Sequence, residues 1–405
     1  MPLDAITISA LAEELSGPLT GAKIDKVQQP ERDIIILSLR TNGQNLKLLL
    51  SSGTGTARVH ISTQHYENPK APPMFCMLLR KHIVGARISR ISQPDMERLL
   101  CFELDTLDEM GVETKKSLIV EMMGRNSNII LTGPEGHIID CLRRVDGDMS
   151  KLRLVMPGLI YRLPPKQEKA DFFCLDSEDR QRLWDEAEGE KLSDKWLLES
   201  FSGLSPLICR ELSFLAFDDV SKHIGGLSQE ERQAFSEEME ALCKRVEQKS
   251  FKPTMLFEEE KPYDFSFMPI FQYEMVMESK EYPDFSTLLE EFYTRRAKRE
   301  LMQRKSHSLH KMVKSAYGRT SRKLETRQRE LSETEGRDEK KLYGELITAN
   351  MYRIKKGDRV LIADNYYSDK GEKIEIPLDP LKTPQQNAAK YFRDYNKAKT
   401  AREYL

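Results

Sequence analysis

The chain has 405 residues, 39% hydrophobic and 32% charged, with 63 Lys and Arg against 65 Asp and Glu for a net charge of −2. That length suits two to four domains at roughly 100–200 residues each, and a charged fraction above the roughly 25% of an average globular chain calls for long solvated helices. The near-neutral balance excludes a globally basic nucleic-acid binder, so any such role must rest on local clusters.

Cysteine and histidine usage narrows the chemistry further. Cys76, Cys101, Cys141, Cys174, Cys209 and Cys243 form no CxxC pair, and the seven histidines form no HxxxH or Cys/His set. No zinc site, metal or cofactor is expected, and the cysteines read as reduced core residues. The N-terminal Met1-Pro2-Leu3-Asp4-Ala5 lacks a basic region followed by an apolar core. No stretch approaches the roughly 20 apolar residues of a membrane span, which gives a cytoplasmic protein with no membrane partner as the expectation.

In chain order, Ile6, Leu11 and Leu15 followed by Gly17-Pro18 predict one short helix. Strands then dominate: Ile34-Ile35-Ile36-Leu37, Leu46 to Leu50, Ala57 to Ile61, Leu99 to Leu104, Leu118 to Met122, Asn128 to Leu131 and Ile138 to Leu142. Turn signals such as Asn42-Gly43, Ser52-Gly53 and Gly133-Pro134 separate them, and Met74 to Val84 interrupts them as a second helix. This predicts an α+β domain built mostly on antiparallel strands over residues 1–165, closing at "VMPGLIYRLPP" with Pro164-Pro165 as boundary. Within it, "EMMGRNSNIIL" breaks a strand-like run, and Gly124 is expected to permit a bulge or close backbone approach that puts Arg125-Asn126-Ser127-Asn128 on an exposed edge. The alternative is an irregular turn capped by Asn and Ser.

Residues 166–283 are acidic and helix-forming, with short apolar stripes. In "LLESFSGLSPLICREL", a helix ending at Gly203 and a second starting at Ser205-Pro206 have the right terminators. Such a hairpin would aim N–H groups at one spot and make Gly203 and Ser205 candidate phosphate binders; a plain helix connection is the alternative.

From Asp284 a long helix begins, with Thr287 and Glu290 at capping-box spacing, and Leu309, Met312, Tyr317, Leu324 and Leu331 carry an interrupted seven-residue step. Between Arg295 and Arg329 lie Arg296, Lys298, Arg299, Arg304, Lys305, Lys311, Lys314, Arg319, Arg322, Lys323 and Arg327, opposed only by Glu300 and Glu325. A structural coiled coil would pair Lys with Glu at four-residue spacing, so a phosphate backbone is the expected partner of Arg295, Arg296, Arg299, Lys311, Lys314, Arg319, Arg322 and Lys323. A solvated coiled-coil face is the alternative. After Gly357-Asp358, "RVLIADNYY" and "EKIEIPLD" predict a small hairpin, and Thr383-Pro384-Gln385-Gln386 a second capping box. Residues 284–405 thus read as a coiled-coil arm with a knob over about 350–382. The helix still running at Leu405 suggests that a further C-terminal domain follows in the full gene product.

The segments at residues 343–399, "EMMGRNSNIIL", "VMPGLIYRLPP" and "YPDFSTLLEEFYTRR" resemble the NFACT family over essentially the whole chain. The resemblance implies a first domain similar to the N-terminal domain of formamidopyrimidine-DNA glycosylases, then a helical helix-hairpin-helix domain, then a coiled coil with a middle knob; the family's C-terminal NFACT-R domain is absent. It implies binding of a large ribosomal subunit and its rRNA when obstructed by peptidyl-tRNA. It also implies recruitment of alanine tRNA for template-free alanine tailing of stalled nascent chains, with a small RNA-binding tailing partner protein. By the resemblance the family's Asp-Arg pair falls on Glu97-Arg98, with Glu in place of Asp; the early aspartate falls on Asp4, and Glu-x-Met-Gly-Arg on Glu121, Gly124 and Arg125. An Arg offers a planar fork for phosphate or a base edge, and a neighbouring carboxylate can hold that fork or accept from a base amino group.

Two other classes compete. Glycosylases of the similar fold use an N-terminal proline amine with an adjacent glutamate, and this chain begins Met1-Pro2, but Leu3 stands where the glutamate is needed. A fibronectin-binding surface adhesin, the older family description, finds no signal peptide, wall anchor or disulfide framework. No triad, paired acid and base, or phosphate loop occurs, so the expected role is tRNA positioning, with peptidyl transfer left to the ribosome.

Overall fold

The computed structural model describes residues 3–41, 43–108, 110–187, 189–368 and 371–404, so Met1-Pro2, Asn42 and Leu405 lie outside the described residues. Compactness divides the chain into two units, one reaching Arg299 and one starting at Glu300.

The first unit begins with α1 (Ala5–Leu19) and a nine-stranded antiparallel sheet. Its strands are β1 (Lys23–Glu31), β2 (Ile34–Thr41), β3 (Gln44–Ser51), β4 (Arg58–Ile61), β5 (Arg87–Ser92), β6 (Leu99–Leu107), β7 (Glu113–Glu121), β8 (Asn128–Thr132) and β9 (Ile138–Cys141). The order β4-β3-β2-β1-β5-β6-β7-β8-β9 has one non-sequential neighbour, where β5 pairs with the free side of β1 after α2 (Met74–Ile83). Period-two alternation sends Leu100, Phe102 and Leu104 of β6 into the main core with Leu11, Leu15 and Leu79 of the helices. The intervening Leu99 joins Ile119, Ile130, Ile138 and Val155 in a smaller core on the opposite face. Each fully buried aliphatic side chain contributes about 1.5–3 kcal/mol, so both cores hold the sheet in register.

Two expectations change here, and two strands appear that the sequence did not announce. The first helix does not stop at Gly17-Pro18 but continues to Leu19, because Leu15 and Leu19 are both fully buried and Thr20 closes the last turn on Ser16. Strands β1 and β5 carry few apolar residues and bulges after Ile24, Gln28 and Ile88, which break the alternation that would announce them. "EMMGRNSNIIL" is a hairpin connection: Glu121 pairs with Asn128, and residues 124–126 form a 3-10 turn in which Gly124 takes φ +61. No bulge lies there. Ser127 and Asn128 are buried, Ser127 Oγ donating to Gly124 O at 2.8 Å and Asn128 Nδ2 to Arg143 O at 2.7 Å, so only Arg125 and Asn126 face solvent.

Beyond the sheet come β10 (Ala170–Asp171), α3 (Ser177–Asp185), α4 (Ser193–Ser200), β11 (Phe201–Ser202), α5 (Pro206–Phe217) and α6 (Gln229–Glu247). They close around Trp184, Trp196, Phe201 and Phe235, whose rings meet at centroid distances of 4.9–6.3 Å. The stretch expected to be helical also holds a three-stranded sheet of β12 (Thr254–Glu258), β13 (Lys261–Ser266) and β14 (Glu278–Glu281), with Met255, Phe257 and Phe265 buried.

Helix α7 (Phe285–Ser332) starts under two carboxylates. Asp284 Oδ1 accepts from Thr287 N–H at 2.6 Å, and Glu14 of α1 accepts from the N–H groups of Phe285 at 2.6 Å and Ser286 at 3.0 Å. The expected Thr287/Glu290 capping box is therefore replaced: Glu290 turns to the chain after β4, accepting from Ser62 Oγ at 2.5 Å and Thr63 N–H at 2.9 Å.

In the second unit, α8 (Arg337–Ala349), the hairpin β15 (Val360–Asp364) and β16 (Lys373–Pro377), and α9 (Pro384–Tyr404) share a core of Leu346, Ile347, Leu361, Ile376 and Ala388. The second capping box forms as expected: Thr383 N–H donates to Gln386 Oε1 at 2.9 Å and Gln386 N–H to Thr383 Oγ1 at 3.3 Å. Leu309, Met312, Tyr317, Leu324 and Leu331, the seven-residue step, are all exposed. Among the described residues no helix is long and apolar enough to cross a membrane, and no cluster of His, Cys, Asp and Glu could hold a metal.

Candidate nucleic-acid interface

The start of α1, the turn between β5 and β6, the segment around Lys166 to Cys174 and the turn entering α5 enclose a cleft of about 580 Å³. Asp4, Glu97, Arg98, Gly203 and Ser205 all line it. Five residues spread over 200 positions of sequence thereby share one site.

Asp4 is the N-cap of α1, Oδ1 accepting from Thr7 N–H at 2.8 Å, while Oδ2 accepts from Ser205 Oγ at 2.8 Å. Burial pushes its carboxyl above the ordinary aspartate range, against these hydrogen bonds. Ser205 gives its proton to Asp4 and does not cap α5, leaving the start of that helix uncapped by a side chain. The helix before it ends at Ser200 rather than Gly203, because Phe201 and Ser202 pair as a strand with Ala170 and Asp171. Gly203 turns the chain at φ +87, and a Cβ there would lie 3.2 Å from the Phe173 ring, so glycine serves both conformation and space. The two helices pack as expected, but the five-residue connection 201–205 replaces the tight turn, and Gly203 and Ser205 still border the cleft.

The Glu97-Arg98 pair follows a strained turn. Asp95 and Met96 take left-handed φ of 48 and 51, a conformation costly for residues with a side chain. Gln93 Nε2 clamps the turn by donating to Glu97 O at 2.9 Å and to Ala5 O at 2.8 Å, and Arg98 O accepts from Met122 N–H at 2.8 Å. Lys166 pairs with Asp95 at 2.9 Å. Burial raises the Glu97 carboxyl and the Asp95 charge adds to it, while Arg98 and Lys166 oppose. Both Glu97 and Arg98 are half-buried. The cleft mixes Arg98, Lys166 and Lys169 with Asp4, Asp95, Glu97 and Asp171. A pure phosphate site would not carry four carboxylates; a base edge, which offers both donors and acceptors, matches that mixture.

Glu121, Gly124 and Arg125 lie outside the cleft lining. Glu121 is 1% exposed and holds Arg153 Nη2 at 2.5 Å and the Tyr161 hydroxyl at 2.8 Å. Both contacts are made by Oε1, inside the first unit. Arg125 is exposed, and its carbonyl accepts from Arg143 Nη1 at 3.3 Å.

On α7, Arg295, Arg296 and Arg299 are exposed within the first unit; Arg295 pairs with Glu291 at 2.6 Å and lies over the Phe257 ring. Lys311, Lys314, Arg319, Arg322 and Lys323 are exposed in the second unit. Farther along α7, Arg304 pairs with Glu300 at 4.0 Å and Arg329 with Glu333 at 3.4 Å, and from Lys305 to Arg327 the only acid in the sequence is Glu325, which leaves a cationic stretch in the middle of the helix.

Sequence reasoning missed Asp95, Lys166 and Lys169 as cleft residues and Gln93 as the clamp of the turn behind them. Asp4 as the cap of α1 could have been read from an Asp directly before an apolar helix; the others reach the cleft only through tertiary pairing.

The model for NFACT N-terminal and middle domains matches residues 4–405. Over 402 residues the chain is 37% identical to Rqc2 homolog RqcH of Bacillus subtilis (strain 168), covering 99% of this chain and 68% of that protein. It is 30% identical over 140 residues to Ribosome quality control complex subunit NEMF of Homo sapiens, covering 34% of this chain and 12% of that one. Among solved structures, the fibrinogen binding protein from Staphylococcus aureus superposes with a TM-score of 0.60 at 27% identity, over 72% of this chain and 99% of that one. The N-terminal part of the fibronectin/fibrinogen-binding protein from Streptococcus suis gives 0.59 at 28%, with the same coverage. A family match from residue 4 to residue 405, with a bacterial relative aligned along nearly the whole chain, makes this chain a member of the NFACT family.

Proposed function

We propose that this chain works in ribosome quality control in the cytoplasm, binding large ribosomal subunits that carry peptidyl-tRNA and recruiting alanine tRNA for template-free tailing of the stalled chain. The kinship with RqcH and NEMF supports the role, and the convergence of Asp4, Glu97, Arg98, Gly203 and Ser205 on one cleft is the observation that carries the tRNA assignment. In this reading Arg98 and Glu97 contact tRNA directly, while Asp4 positions the wall of the cleft and Glu121 the fold beside it. Gly124 and Arg125 supply a neighbouring contact. Residues 1–165 select tRNA, 166–283 complete the cleft, and the cationic middle of α7 meets rRNA phosphates. Peptidyl transfer stays with the ribosome, so the chain is a positioning factor, and a small RNA-binding protein is its partner in tailing.

The experiment is binding of labelled alanine tRNA and of one non-alanine tRNA to this chain and to Arg98→Ala at two salt concentrations. Selective binding lost in Arg98→Ala supports the reading. Equal binding of both tRNAs, unchanged by Arg98→Ala, sinks it.

A second reading has one observation in its favour: the superposing proteins from Staphylococcus aureus and Streptococcus suis are described as fibrinogen- and fibronectin-binding. Saturable binding to immobilised fibronectin, together with sedimentation apart from large ribosomal subunits, would favour it.

A further inference from the structure

Residues 149–163, which include most of "VMPGLIYRLPP", form a strap along the outer edge of the sheet beyond β9. Leu159 O accepts from Ile138 N–H at 2.7 Å, Ile138 O from Gly158 N–H at 2.8 Å, and Gly136 O from Tyr161 N–H at 2.8 Å. Beneath it runs the buried ion pair: Arg153 stacks on the Tyr161 ring at 5.0 Å, holds Glu121 and donates through Nε to Arg162 O at 2.7 Å. The strap is thus fixed before any partner arrives, which lowers the ordering entropy lost on binding.

Its outer side is apolar where a solvated edge would be polar. Leu152 is 85% exposed, Ile160 58%, Leu154 45%, Leu159 40% and Leu163 38%. These five side chains line one concavity of about 710 Å³, with Lys151, Arg162 and His137 at its margin and no carboxylate in its lining. Single exposed leucines are ordinary, but a shared concave apolar lining on a rigid frame is a recognition feature. No Phe, Tyr or Trp ring lines the cleft to stack on a base, and His137 alone gives no platform for successive bases, which argues against single-stranded RNA. Its concave form argues against insertion into a bilayer.

We propose that this cleft docks an acidic polypeptide segment of another protein that presents two or more aliphatic side chains, with carboxylates meeting Lys151 and Arg162. The apolar contacts provide affinity, and the cationic margin selects the sign of the partner. The assignment does not depend on the tRNA reading, since the cleft shares no lining residue with the one holding Arg98.

The test uses a fluorescein-labelled dodecapeptide alternating Leu with Glu, one control with every Leu as Ser and one with every Glu as Lys. Fluorescence anisotropy should give saturable binding of the Leu/Glu peptide alone, weakened at least tenfold by Leu152→Asp or Ile160→Asp and at least threefold by Lys151→Glu. These positions are exposed, so the variants should keep the parent melting temperature. Arg98→Ala should bind the peptide like the parent, which separates this outcome from any result with tRNA. The proposal is overturned if no saturable binding occurs up to millimolar peptide, if the Lys peptide binds equally, or if the variants bind unchanged. It is also overturned if Leu152→Asp instead abolishes flotation with phosphatidylglycerol vesicles or self-association in sedimentation velocity.

Discussion

Asp4 Oδ2 accepts from Ser205 Oγ at 2.8 Å, joining the first helix of the sheet domain to the entry of α5 across 201 residues. The same carboxylate caps α1, so one side chain fixes two walls of the cleft that holds Arg98. Asp4→Ala removes both bonds and should lower stability by about 1–3 kcal/mol, the range for a lost N-cap plus one buried hydrogen bond. Ser205→Ala removes one and should cost about 1 kcal/mol. A double-mutant cycle by urea unfolding should show coupling of at least about 0.5 kcal/mol; additive effects would mean that the two residues do not support each other.

The left-handed turn before Glu97 should be held at an energetic cost. Asp95→Gly relieves φ 48 and gives up only an exposed ion pair with Lys166, so the melting temperature should stay level or rise, by the equivalent of up to about 1 kcal/mol. If the strain aims Arg98, tRNA affinity should fall in the same variant. Unchanged affinity would leave the turn as scaffold alone.

Glu121→Ala leaves Arg153, whose side chain is 13% exposed, without its partner. Breaking such a buried pair costs about 3–5 kcal/mol, whereas replacing both members by Leu and Met should be close to neutral. Urea unfolding of the two variants separates a structural pair from a ligand-binding carboxylate, because only the latter would lose tRNA affinity in the well-folded double variant.

His60 on β4 is 1% exposed, and neither ring nitrogen has a hydrogen-bond partner among the described residues. Burial, aided by the Arg58 charge, pushes its imidazole down to about 3 from 6.5. Between those values the unfolded chain binds the extra proton, so stability rises with pH across the window and is lost as pH falls from about 6.5 toward 3. The loss is on the order of 5 kcal/mol at the acid end. His60→Leu should flatten that part of the stability profile relative to the parent; two parallel profiles would contradict the neutral, buried imidazole.

Replacing Lys311, Lys314, Arg319, Arg322 and Lys323 by Gln should reduce the magnitude of the slope of log K against log salt for RNA binding by about 3.5–4.5, since each neutralised phosphate adds roughly 0.7–0.9. Selectivity between tRNAs should persist, because the cleft around Arg98 is untouched. A slope equal to the parent's would remove α7 from the RNA contact.

Much of the fold was legible where burial is periodic. The aliphatic strand runs predicted between Ile34 and Leu142, the second helix and the Thr383 capping box all stand close to where their residues predict. What escaped was encoded in irregularity. The bulges in β1 and β5 move Ile24 and Val27, and Ile88 and Ile91, to a spacing of three, and the Gly124 hairpin carries no pairing signal until its strands are side by side. The cleft was half legible: Glu97 and Arg98 came from family resemblance, but the bond from Ser205 to Asp4 and the clamp by Gln93 span distances that no local pattern records. Glu290 illustrates the limit, since its position suits a capping box and its carboxylate instead serves Ser62 and Thr63.

Glu14 caps α7 across 271 residues, and Glu290 returns the favour to the chain after β4 across 228. During synthesis at roughly 5–20 residues per second, α1 therefore waits on the order of 14–54 s before its carboxylate finds the amides of Phe285 and Ser286. The first unit is consequently a late closer: the half-buried Glu14 carboxylate stays in water until the start of α7 has left the exit tunnel. A fragment ending at residue 165 or 283 would lack those donors, leaving water in place of the Phe285 and Ser286 amides around Glu14.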